Sequence, residues 1–205
     1  MQQIVMPWRP SMSGARTNNM MFTKQYYESH GYEVLLSDSR HKTFNRSAAR
    51  NRGVKKASGE IVVLIDADFY VNMDLLRQAI RSAKSYPNQF KPFSKINRLS
   101  KQQSKSMISG NPTPYQGAYS YLCMGGAFVL NRDSWNLVKG FDEDFKDWGC
   151  EDAAFQIITD RHLGPKQMLE GEAIDLWHPS HRVFSAETNE LYQKYLNGYD
   201  PVTVI

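Results

Sequence analysis

The chain has 205 residues, 41% of them hydrophobic and 22% charged, with a formal net charge of +4; this suits one domain with a sizeable core and is short for two. Its longest wholly aliphatic run is the five residues Ile61 to Ile65, far below the ~20 that span a bilayer, so no membrane-crossing segment is expected. Two cysteines, Cys123 and Cys150, are too few for a disulfide framework or a cysteine zinc site and read as free thiols.

In chain order, "QQIVMPW" reads as a first strand ended by Pro7, with no basic leader before it, which points to a cytoplasmic location. Residues 13–30 follow as a helix closed by Gly31, and "YEVLLSD" is a second strand. A helix is expected from about Asn45, with Ala49, Val54 and Ala57 inward and Gly59 as its stop. "IVVLIDADF" is then a strand apolar on both faces, and a helix covers about Asp74 to Ser85. Residues 86–117, rich in Lys, Ser, Asn and Pro, read as a basic mobile loop. Strand character returns on both sides of Gly125 and Gly126. Ala154, Ile157 and Ile158 mark an amphipathic helix from Glu151, and "AIDLWHPSHRVF" gives a late strand with histidines at its exit. Strands alternating with helices predict a single α/β domain with a mostly parallel central sheet flanked by helices. Ligands in such sheets bind outside the carboxyl ends of the strands.

Charge is unevenly spread. Between Asp74 and Asp133 there is no acid but nine Lys or Arg, and Ser39 to Gly59 holds seven more bases and no acid. An anionic ligand or partner and a solvated basic face both fit that pattern. Asp66 and Asp68, at the end of the buried run, form an Asp-x-Asp, which alone is weak because "FDEDF" (Asp142, Asp144) has the same spacing. Position separates the two: residues i and i+2 of an extended segment project to one side, here at the exit of the most buried strand. Two hard oxygen ligands so placed suit Mg²⁺ or Mn²⁺ shared with substrate phosphates. Capping of the next helix is the competing account, but Asn72 and Asp74 lie closer to its start.

"RSAARNRGVKKASGEIVVLIDADF" resembles the core of glycosyltransferases of the GT-A fold, a Rossmann-like fold, and especially the family-2 type. "GGAFVLNRDSWNLVKGFDEDFKDWGCEDAAF" resembles the carboxyl-terminal region shared by galactosyl- and N-acetylgalactosaminyl-transferases, with its Gly-Gly element, Gly-Phe-Asp-Glu and Trp-Gly-x-Glu-Asp. Together the matches span most of residues 1–182. The resemblance implies one catalytic domain over 1–205, with a nucleotide-sugar-binding half (1–72) and an acceptor and catalytic half (118–182). It further implies a metal-dependent inverting transferase that moves a sugar from a nucleotide diphosphate donor, by analogy a UDP-sugar, to an acceptor hydroxyl of a saccharide or glycolipid.

Site residues carried over from the resemblance follow the same division. Asp68 would ligate Mn²⁺ or Mg²⁺ directly, Asp66 would reach the donor ribose or a metal-bound water, and His178 would add a ligand, with His181 as a substitute. Pro7, Trp8, Arg9 and Asp38 would hold base and ribose, and Arg46, Arg50 and Asn51 would face the nucleotide. Here "PWRP" and "SDSR" depart from the family's usual Pro-x-Tyr/Phe-Asn and short acidic run. Asp152 matches the catalytic base, Glu151 would bond sugar hydroxyls, and Trp148 would lie under an acceptor ring. Placement of acids in the first turn of a helix competes as an explanation of Glu151 and Asp152. Gly125 and Gly126 would let backbone approach the sugar. With saccharide or glycolipid acceptors a basic face could dock on anionic lipid headgroups, and two alternatives remain open: the basic segment 77–105 could grip DNA, with transfer to hydroxylated bases, or the chain could be a non-catalytic nucleotide-sugar-binding module.

Overall fold

A computed structural model describes residues 1–10, 13–111, 118–120, 124–146, 148–179 and 185–203; Cys123, His181 and residues 112–117 of the expected loop lie outside the described residues. The first apolar run forms β1 (Gln3–Pro7), and helix α1 (Gly14–Ser29) returns the chain to β2 (Glu33–Ser37), parallel to it. Helix α2 (Arg46–Lys56) starts where the Asn45 side chain accepts from Ala48 N at 2.8 Å, satisfying a donor the helix leaves free. Gly53 lets α2 lie flat on β1 and β2, since a Cβ there would overlap Val5 and stand 3.0 Å from Ser37 Cβ.

Strand β3 (Ile61–Ile65) is buried along its whole length. Ile61, Val63 and Ile65 face one core, shared with Met20 and Tyr27 of α1 and with α3 (Met73–Ser85). Val62 and Leu64 face another, shared with α5 (Arg132–Leu137) and α6 (Glu151–Leu163). That two-sided burial is why the run lacks alternation. The central sheet has the order β2-β1-β3-β8-β5-β9, with β5 (Phe90–Lys91), β8 (Ala127–Asn131) and β9 (Gln167–Met168). Only β8 runs against the other strands, and its register pairs Ile65 with Ala127. Single domain and mostly parallel sheet therefore hold, as expected.

A second sheet was not anticipated. It runs β4-β10-β6-β7, from β4 (Phe69–Val71), β6 (Lys95–Arg98), β7 (Ala118–Ser120) and β10 (Glu172–Asp175). Two of these strands come from the segment 86–117 and its far edge, and α4 (Lys101–Ile108) adds a capping box from Ser100 and Gln103. Where a basic mobile loop was expected, the described residues thus form β5, β6 and α4; short strands of two to four residues carry too little periodicity to stand out among polar neighbours. Helix α7 (Ala186–Leu196) packs Tyr195 into the second core, where its hydroxyl donates to Asp142 at 2.7 Å.

Candidate active site

Beyond Ile65 the chain turns at once, with Phe69 N donating to Asp66 O at 3.0 Å. The same-side geometry expected of an extended Asp-x-Asp therefore does not apply, and the two carboxylates take different partners. Both Asp66 oxygens accept from Arg50 Nη2, at 2.9 and 3.2 Å, whereas Asp68 Oδ2 lies 3.0 Å from His178 Nε2. They still share one pocket, lined also by Pro7, Trp8, Arg9, Arg16, Phe44 and Arg46. His178 reaches it because β10 pairs with β4, directly beyond the turn, and Leu176 N donates to Asp68 O at 2.9 Å.

The opposite wall is built from the ends of β1 and β2. Trp8 N donates to Ser37 O at 2.9 Å, continuing the ladder. Arg9 grips Asp38 Oδ1 through Nε at 2.9 Å and Nη2 at 2.6 Å, and its guanidinium lies 5.6 Å from the centre of the Phe44 ring. Arg9 thus holds the Asp38 carboxyl below its ordinary pKa. Asp38 is the anchor of Arg9 here and does not itself line the pocket. The Trp8 indole N–H is buried with no partner among the described residues, a donor left for something else to satisfy.

Arg50 is 0% exposed and sits at the junction of the two halves. Beside its bonds to Asp66, Nη1 donates to Asp152 Oδ1 at 2.6 Å and lies 3.9 Å from Glu151 Oε1. Its guanidinium stacks 4.6 Å from the Phe141 ring centre and 5.1 Å from that of Phe128. Arg46, one helical turn earlier, pairs with Glu151, which is 4% exposed. Asn51 points elsewhere: its amide donates to Phe141 O at 2.8 Å and Glu143 Oε1 at 2.9 Å, and its Oδ1 accepts from Phe141 N. Arg50 and Asn51, expected to face a nucleotide, here bond protein groups, and Arg46 alone of the three lines the pocket.

Asp152 lies in the first turn of α6, with one carboxylate oxygen against Gly125, where a Cβ would overlap it. Gly126 O in turn accepts from Asp66 N at 2.8 Å. Gly126 has φ +86, and a Cβ would come 2.6 Å from Cε2 of Phe69, so only glycine fits this close approach. Burial pushes the Asp152 carboxyl above its ordinary pKa; Arg50 opposes this and Glu151 adds to it. Burial pushes Asp66 the same way, but Arg50 and Arg46 outweigh it and leave Asp66 below its ordinary value. The fold thus separates two carboxylates into an ionised one and a more basic one, a pattern typical of sites that move protons. Trp148, 40% exposed, lies on the loop leading into α6 and outside the pocket.

Asp68 and His178 are one oxygen and one nitrogen donor at contact distance on the pocket wall, and that pair suits a divalent ion such as Mn²⁺. Among the described residues no group of three such side chains converges, so the fit is to an ion that a substrate would help to hold. Hydrogen bonding to Asp68 raises the His178 pKa. Asp175, which the sequence did not single out, stands behind them: burial, aided by the Asp68 charge and opposed by Arg98, pushes its carboxyl up to about 7. It pairs with Arg98 at 2.7 Å.

The segment 77–105, expected as a possible DNA contact, is broken up. Lys91 is buried, Arg77 pairs with Asp74, Lys95 with Glu172 and Arg98 with Asp175. Four of the segment's eight bases are thus buried or paired, and DNA binding finds no support. No helix among the described residues is long and apolar enough to cross a membrane.

Comparison with known proteins agrees with this architecture. A model described as glycosyltransferase-like family 2 matches residues 17–96, and one described as the N-terminal domain of galactosyltransferase matches residues 106–162. Among solved structures, the catalytic domain of Drosophila β1,4-galactosyltransferase 7 in complex with xylobiose aligns with a TM-score of 0.57 at 16% identity, over 100% of this chain and 83% of that one. S. aureus TarS 1–349 in complex with UDP-GlcNAc aligns at 0.55 and 14%, over 96% and 64% of the two chains. GalNAc-T7 with UDP, GalNAc and Mn²⁺ aligns at 0.53 and 12%, over 96% and 48%. No curated protein sequence matches significantly. The fold is GT-A. With the two family matches in succession along the chain, the protein is a glycosyltransferase.

Proposed function

We propose that the protein transfers a sugar from a UDP-sugar to the hydroxyl of a saccharide or glycolipid acceptor, with inversion at the anomeric carbon and with Mn²⁺ or Mg²⁺ as cofactor. One observation carries the reading: the pocket holding the Asp68–His178 pair also contains Asp66, which Arg50 ties to Asp152. In this reading Trp8, Arg9 and Phe44 hold the nucleotide end of the donor, and Arg46 lies toward its phosphates. Asp68 and His178 hold the ion, which when bound would neutralise the charge growing on the departing diphosphate.

Asp152 takes the proton of the attacking hydroxyl. Its raised pKa suits that task, because a base is most effective when its pKa lies near the working pH. Arg50 fixes one of its oxygens and leaves the other toward Gly125, where the acceptor would approach. A base on the acceptor side, opposite the leaving group, gives single displacement and hence inversion. The complexes of similar folds with UDP-GlcNAc, with UDP and Mn²⁺, and with xylobiose support donor, ion and saccharide acceptor alike.

The test is a panel of nucleotide sugars with Mn²⁺, scored by release of nucleoside diphosphate with and without simple glycosides or glycolipids. Acceptor-stimulated release with a product of inverted anomeric configuration by NMR is the expected result. Release from no donor, with any acceptor, would leave only a nucleotide-sugar-binding module.

A further inference from the structure

Lys91 plays no part in the account above, yet it is among the least accommodated groups in the molecule. It lies on β5, is 0% exposed, and has no carboxylate within ion-pair distance among the described residues. Burying an ammonium without a counter-ion is costly, and an apolar side chain of similar size would ordinarily be preferred. Burial accordingly pushes its pKa down to about 7.

The side chain runs over the Phe128 ring, with Nζ 3.5 Å from the ring centre, and ends on two carbonyls: Met124 O at 2.6 Å and Gly125 O at 3.2 Å. Gly125 O also accepts from Ala127 N at 3.2 Å. These peptides form the shelf that abuts Asp152 on one side and, through Gly126 O, binds Asp66 N on the other. Asp152, Asp66, Arg50 and Lys166 are the charged groups around the ammonium.

We propose that Lys91 is a positioning residue for glycosyl transfer: by holding the Met124 and Gly125 carbonyls it fixes the glycine shelf, and with it the distance between the base Asp152 and the reacting hydroxyl. The proposal rests on the transfer reading above. Lys91 does not line the donor pocket itself, so its loss should tell on turnover more than on donor binding.

Lys91→Met tests this, since it fills the same space but cannot donate. The expected result is a kcat about 100-fold lower, the loss a displacement of about an ångström produces, with the KM for the UDP-sugar within about twofold and no fall in melting temperature. Lys91→Gln, which keeps a donor without the charge, should recover part of the rate, and serves in place of the Met variant if that one does not fold. An unchanged kcat, or kcat, KM and melting temperature deteriorating together, overturns the proposal. A crystal structure of the variant gives a readout independent of turnover: residues 124–126 should be displaced from Asp152, and a shelf left in place refutes the idea. Wild-type protein inactive with every donor would defeat the transfer reading, while that structure would still decide whether Lys91 holds the shelf.

Discussion

Asp66 and Asp152, which come from the two separately matched halves of the chain, are bound by the same guanidinium, that of Arg50, at 2.9 and 2.6 Å. Neither carboxylate has that arrangement without the other. Removing Arg50 leaves two like charges facing each other in a partly desolvated site, so Arg50→Met should destabilise the protein by about 3–5 kcal/mol. Arg50→Lys, a single point charge, cannot serve both acids as a fork does and should recover only part of that. Urea titration of the two variants checks both statements.

Asp152→Asn keeps an oxygen for Arg50 but removes the base. Acceptor-dependent turnover should fall by about 10²- to 10⁴-fold, while UDP and Mn²⁺ still raise the melting temperature. Equal loss of binding and turnover would assign Asp152 to donor recognition instead.

At ligand concentrations near 100 times Kd, Mn²⁺ with UDP should stabilise the wild-type fold by about 2.7 kcal/mol through mass action. Asp68→Ala and His178→Ala should each abolish most of that shift, whereas Asp142→Ala, from the other Asp-x-Asp, should not. Thermal melts with and without the ion make the comparison.

The pH dependence has a definite sign. The Asp175 carboxyl has a pKa of about 7 folded against 3.8 as the ordinary value; the folded state therefore holds the extra proton, and metal-free stability falls as pH rises through that interval. His178 acts in the same direction: its folded pKa is raised, so its contribution is complete below about 6.5 and is lost as pH climbs through the folded value. Asp175→Asn should flatten the slope between pH 4 and about 7 in urea melts. Stabilisation by Mn²⁺ should grow over pH 6 to 8, since the ion needs the neutral imidazole.

Gly125→Ala places a methyl group where Asp152 now lies. Overlap of that kind costs about 1–3 kcal/mol where the neighbour cannot move, and here the neighbour is the proposed base. Turnover should suffer more than stability, measured as kcat against melting temperature.

Much of this was readable from residues in a row. The five-residue run fixed β3, the spacing of Ala154 and Ile158 fixed α6, and Asn72 is the cap that its position suggested. What the sequence hid depends on distant pairing. Nothing local says that Arg50 will be buried between two phenylalanines, that Asn51 will bond the backbone of Phe141, or that Asp175 will stand behind Asp68. Lys91 looked like one more charge in a basic loop because a two-residue strand leaves no periodic mark. Its flanking Phe90 and Phe93, both buried, were the available hint.

The reversed strand has a consequence for how such a site can diversify. Because β8 opposes β3 in register, with Ala127 beside Ile65, the residues leaving one strand and those arriving at the other meet on a single rim. A change in the glycine pair that leads into β8 therefore reaches Asp152 and Asp66 together, and the two ends of the reaction can diversify there only in concert.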